Sequence, residues 1–185
     1  MIRSVISVIF TEIKFFLMKL FFGKRFAYSG IQRFSPNTEL TIEKGASISL
    51  GKMVRAHSGT RIRVRKNASV CIGNDVAFGY RCMITAHEKI EISDGCEIGP
   101  GVLFYDHDHD FHSGSIKRGL HNTSPIVIGK NVWIGANAII LRGAVIGDEC
   151  VVAAGTIVRA GEYAQHSLIY DKRETITKTL AGSDQ

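Results

Sequence analysis

The sequence predicts an all-β fold, a coil of short parallel strands preceded by one α-helix. Three observations predict it. Aliphatic residues recur every six positions in the second half of the chain, glycine and asparagine punctuate that recurrence, and helical periodicity is confined to residues 1–22. From Ile128 the series runs through Ile134, Ile140, Ile146, Val152 and Val158, and Ile92, Ile98 and Phe104 keep the same interval earlier. A period of six fits neither an α-helix nor the alternation of hairpin strands. It fits a coil with three six-residue sides, in which each aliphatic points into an interior that only stacked coils can cover. Gly129, Asn131, Gly135, Asn137, Gly143 and Gly147 fall at the corners, where a positive φ costs them little.

The N-terminal segment MIRSVISVIFTEIKFFLMKLFF places Ile2, Val5, Ile6, Ile9, Ile13, Phe16, Leu17 and Leu20 at spacings of three and four, which predicts an amphipathic helix. Arg3, Glu12, Lys14 and Lys19 interrupt the apolar run too often for a spanning helix. No small-residue cleavage site follows, so the helix is not read as a secretion signal. Two roles stay open for it: packing on its own domain or a neighbouring subunit, or lying in a membrane interface. The expected organisation is a helical segment over 1–30, a β-helical domain over 31–170 with a loop at 105–125, and a tail over 171–185.

Composition narrows the function. The 185 residues carry a formal charge of +6, with basic residues that read as scattered and not interleaved with aromatic pairs, which argues against nucleic acid as a partner. Cys71, Cys82, Cys96 and Cys150 form no CxxC pattern and read as buried thiols of a cytoplasmic protein. Between Phe104 and Ile126 the six-residue period lapses over YDHDHDFHSGSIKRGLHNTSP. A polar stretch of that length must leave the coil as a long extruded loop, and such loops usually carry function.

The run PIVIGKNVWIGANAIILRGAVIGDECVVAAGTIVRA, residues 125–160, resembles the hexapeptide-repeat acyltransferases, in particular the maltose, galactoside and polysaccharide O-acetyltransferase branch. The resemblance is specific over the last coils, weaker back to about residue 70 and absent from the first 30. It implies a left-handed parallel β-helix of hexapeptide repeats, a homotrimer, acetyl-coenzyme A (acetyl-CoA) bound between neighbouring prisms, and transfer to a carbohydrate hydroxyl. It also implies a histidine base at the start of the extruded loop. Counting forward from Ile98 and back from Pro125 both place that base at His109, with His107 in reserve. A sugar hydroxyl is a poor nucleophile near neutral pH, so a group of pKa near 7 must take its proton. A backbone carbonyl or one of Asp106, Asp108 and Asp110 is left to orient the ring.

Cofactor contacts implied by the resemblance fall on Trp133, Gly135, Ala136, Ala153, Ala154, Gly155 and Arg159; Trp133 reads equally well as packing. Arg159 replaces the family's usual Thr-Lys pair, and Gly79 stands where the small-sugar enzymes present an asparagine to the acceptor. That departure favours the polysaccharide-modifying branch. No metal is expected. The rivals are a metal-dependent hydratase of the γ-carbonic-anhydrase kind, using His107 and His112 with His87 as third ligand, and a non-enzymatic scaffold.

Overall fold

The computed structural model describes residues 2–112 and 115–174, except the side chains of residues 2–4, 112, 116 and 118. An α-helix, Ile2–Phe22, leads through a short 3₁₀ turn at Gly23–Arg25 into a parallel β-helix of three faces. Face A stacks seven strands from Phe26–Tyr28 to Gly161–Tyr163, face B seven from Arg33–Phe34 to Leu168–Ile169, and face C six from Glu39–Ile42 to Ile157–Val158. About six turns of coil result, the first beginning at Phe26.

In-register stacking builds the core one residue per face. On face B, Phe34, Ala56, Phe78, Ile98, Ile134, Val152 and Ile169 sit one above the other. On face C the column is Leu40, Ile62, Ile84, Phe104, Ile140 and Val158. Every aliphatic of the six-residue series, from Ile92 to Val158, is buried. Each interior strand's backbone is paired above and below, so the columns bring apolar burial and backbone hydrogen bonding together.

The corner between faces C and A sets the period. It takes four residues in the first two coils (43–46 and 65–68) and two in later coils (87–88, 142–143 and 159–160). Phe26 therefore pairs with Ile48, and Ile48 with Val70, at 22-residue steps, whereas Val127 pairs with Val145 at a step of 18. The strict six-residue period is a property of the later coils.

At one C/A corner the chain leaves the coil altogether. Residues His107–His112 and Ser115–Thr123 form a two-stranded antiparallel arm with a register shift between His109 and Phe111. The expected loop is thus a hairpin, its period-two pairing hidden in a polar sequence. One reading of the cysteines is corrected: Cys82, Cys96 and Cys150 are buried, but Cys71 is exposed. Cys71 is the third residue of Ser69–Ile72, where alternation turns the side chain outward.

Candidate functional site

Four histidines gather at the foot of the arm. His87 occupies the short corner of the third coil; His107 and His109 lie on the outgoing strand of the arm and His121 on the returning one, directly across from His109. Ring centroids lie 3.9 Å apart for His87 and His107, 4.1 Å for His87 and His121, and 4.9 Å for His109 and His121. They line an open cleft of about 500 Å³ with Glu43, Arg65, Lys66, Thr85 and Gly119.

Asp106, fully buried, anchors the cluster. Its Oδ1 accepts from the backbone N–H of His87 at 2.8 Å, and its Oδ2 from Glu88 and Lys89 at 2.8 and 2.9 Å. His107 Nδ1 lies 3.2 Å from Oδ1. Burial pushes the Asp106 carboxyl up, but the hydrogen bonds from His107 and from these N–H groups outweigh it and hold the pKa below the ordinary carboxylate value. An ionised carboxylate only accepts, so His107 Nδ1 must donate, which leaves a lone pair on Nε2. Of the three aspartates left open by the sequence, Asp106 orients His107, while Asp108 pairs with Nε of Arg142 at 2.5 Å.

His87 is pushed down to about 4, first by burial and then by His107 and His121. It is therefore neutral at pH 7 and puts no standing positive charge beside His107. Burial, with His107 and His109, also lowers His121. The structure puts His87 and His121 inside the cleft, and the side chain of His112 lies outside the described residues. The signal for His87 is its place at a two-residue corner just below the arm, which appears only once the coils are in register. Among the described residues, no group of three or more His, Cys, Asp or Glu side chains is arranged to hold a metal ion.

Apart from Arg159, which holds the C/A corner at 159–160, the residues assigned to the cofactor lie on a different edge. Gly135 and Ala136 turn the corner from face B to face C in the fifth coil, and Ala153, Ala154 and Gly155 turn it in the sixth. Gly155 donates its N–H to Ala136 O at 2.8 Å. A Cβ on Gly135 would lie 2.6 Å from the Ala154 nitrogen, so the coil itself requires that glycine. Trp133 is 58% exposed on the adjoining strand, which removes plain packing within the chain as its role. Arg159 is exposed, and its carbonyl accepts from the Tyr163 hydroxyl at 3.1 Å. None of these residues lines the histidine cleft of the same chain. Gly79, at the position of the missing asparagine, is fixed by packing, since a Cβ there would lie 2.6 Å from the Pro100 nitrogen.

The family described as the hexapeptide repeat of succinyl-transferase matches residues 125–160, the stretch that forms the last complete coils. The chain carries that repeat over this stretch and is similar to hexapeptide-repeat acyltransferases. It is 34% identical to galactoside O-acetyltransferase of Escherichia coli K12, over 49% of this chain and 45% of the relative. The chain spans about half the length, or less, of the first curated relatives it matches, from 41% to 53%. Among solved structures, the D94A mutant of AntD, an N-acyltransferase from Bacillus cereus, superimposes with a TM-score of 0.68 at 20% identity, covering 88% of each chain. A hexapeptide-repeat acetyltransferase of Vibrio cholerae, VCA0836, solved with acetyl-CoA, gives a TM-score of 0.52 at 25% identity, covering 62% of this chain and 64% of its own.

Proposed function

We propose that this chain is an O-acetyltransferase that moves an acetyl group from acetyl-CoA to a carbohydrate hydroxyl of a surface polysaccharide or its precursor. The observation that carries the proposal is the Asp106–His107 pair at the foot of the arm, in a cleft open enough to take a sugar. His107 Nε2 takes the hydroxyl proton as the oxygen attacks the acetyl carbonyl, the buried Asp106 carboxylate steadies the imidazolium that results, and the proton passes to the coenzyme A sulfur as the thioester C–S bond breaks. Neutral His87, stacked on the same ring, fixes its plane without opposing its protonation. Arg65 and Lys66 give the cleft a basic wall suited to an acidic sugar, partly offset by Glu43, which holds Arg65 at 2.7 Å.

The corner formed by Ala136, Ala153 and Ala154 fits a pantetheine arm, because none of the three carries a side chain beyond Cβ and the exposed Trp133 adjoins it. When bound, the coenzyme supplies the acetyl group already activated as a thioester. Cleft and corner lie on different edges of one prism, so a second copy is needed to bring them face to face, and a homotrimer with cofactor between neighbours satisfies both. Arg159 is exposed on the C/A edge that carries the arm, and its guanidinium suits a coenzyme phosphate held between neighbouring copies.

A second reading keeps His109 as the base, favoured by its register and by its more exposed place opposite His121. Single variants separate the two. Loss of the base is expected to lower kcat about 10²–10⁴-fold with coenzyme affinity nearly unchanged. If His107→Ala carries that loss and His109→Ala does not, the Asp106-oriented ring is the base. The reverse result assigns His109. If both variants turn over acetyl-CoA onto glycan acceptors at the wild-type rate, the histidine mechanism is wrong.

A further inference from the structure

The N-terminal helix is apolar on two opposite faces, and the fold uses only one. Thr11 and Phe15 are buried against the first coil, with Phe15 packed edge-on to Phe26 and Phe34 at 5.1 and 5.0 Å. The helix is also pinned from that side: Thr11 Oγ1 donates to Phe34 O at 3.0 Å, and Lys14 Nζ donates to Thr38 O at 2.8 Å. Its orientation on the solenoid is therefore set. Ile6, Ile9, Ile13, Phe16, Leu17 and Leu20 face the other way and are 55% to 76% exposed. Monomeric proteins rarely leave so large a contiguous apolar stripe in water.

The stripe continues onto the coil. Met53 holds a corner position with φ of +61°, in the left-handed region, yet presents a 54% exposed thioether side chain beside the exposed Ile31. A polar Asn or a Gly would fill that corner with less strain. With Val5, Val8 and Ile9 these two side chains line an apolar groove of about 370 Å³ between helix and first coil.

Charge decides what fits this face. Residues 1–55 contain nine Lys and Arg against three Asp and Glu, which equals the whole +6 of the chain, and residues 56–185 are balanced. The basic residues are therefore not scattered, as composition alone suggested. Glu12, the one acidic residue of the helix, is turned inward and accepts from the backbone N–H of Gln32 at 3.1 Å, while Lys19, Lys24, Lys44 and Lys52 are exposed. A second copy docking through this face would bring two such basic ends together. An anionic lipid surface takes the apolar stripe and the charge at once. No helix among the described residues is long and apolar enough to cross a membrane.

We infer that the outer face of the N-terminal helix, with Ile31 and Met53, docks the protein on an anionic lipid surface, helix axis in the membrane plane. The first coil then lies nearest the lipid. Glu43 of that coil lines the histidine cleft, so the cleft would open close to the headgroups.

The experiment is co-sedimentation of the full chain with vesicles of phosphatidylcholine containing about a third phosphatidylglycerol, and with pure phosphatidylcholine, at low and high salt. Strong binding to the anionic vesicles, at least about tenfold weaker binding to the neutral ones and loss of binding with salt are expected. The variant Ile13→Ser/Leu17→Ser/Leu20→Ser alters only exposed positions and should fold as wild type by circular dichroism. It is expected to lose at least about tenfold in vesicle partitioning while keeping acetyl-CoA binding, so this test stands apart from the proposed catalysis. Equal partitioning of variant and wild type, or wild-type indifference to vesicles, overturns the inference. So does a wild type that ignores vesicles but changes oligomer size when the stripe is made polar, which would make the face an interface between copies.

Discussion

At the scale of single residues, the site depends on one carboxylate. Asp106 receives three backbone N–H groups and one imidazole, and being buried it has no water to replace any of them. The ring stacked above it supplies a pH signature. His87 falls from an ordinary 6.5 to about 4 in the fold, so the unfolded chain takes up that proton first. Above the unfolded value both states are neutral and the group adds nothing to stability. As pH falls from about 6.5 toward about 4 the unfolded state binds more protons, and stability falls. Thermal melts between about pH 7 and about pH 4.5 are expected to show a declining Tm, and His87→Gln should flatten part of that decline. An identical slope in the variant would mean that His87 is not held neutral by the fold. Neither Asp106 nor His87 was singled out by the sequence: Asp106 was one of three candidates in DHDHD, and His87 sits 20 residues upstream of His107. What joins them is a step between coils, which no linear motif records.

At the scale of elements, coil stacking decides which residues a corner tolerates. Gly135 was assigned to the cofactor by resemblance and Gly79 marked a departure from it, and each faces backbone of the next coil at 2.6 Å. A methyl at Gly135 would meet the Ala154 nitrogen, its Cα and the Val152 oxygen, none of which can swing aside. Gly135→Ala is expected to cost about 1–3 kcal/mol, read as a lower denaturant midpoint whether or not cofactor is present. A variant as stable as wild type but weak in acetyl-CoA binding would return Gly135 to a purely cofactor role. The same geometry explains why the later coils were legible and the earlier ones were not. A two-residue C/A corner preserves the six-residue count, while the four-residue corners at 43–46 and 65–68 break it. The arm was hidden for another reason: its strands are paired only with each other and, among the described residues, bury no core, so their sequence carries no apolar alternation for a periodicity to catch.

At the scale of the whole molecule, the histidine cleft and the small-residue corner occupy different edges of the prism, and the proposed mechanism uses both through a neighbouring copy. Sedimentation equilibrium is expected to give three times the chain mass at working concentrations, with activity lost on dilution to monomer. A fully active monomer would show that one chain completes its own site. The coil, its inward columns and the N-terminal helix follow from sequence alone, because each is written as a local period that a few neighbouring residues can express. The sequence also carried the resemblance to hexapeptide-repeat acyltransferases, since it lies in one contiguous run from 125 to 160. Only the tertiary structure decided that Asp106 orients His107, that His87 and His121 join the cleft, that Cys71 faces out and that one whole stripe of the helix is left uncovered. Each of these depends on which coil lands above which and on what an element's second face meets, and such contacts join residues far apart in the chain.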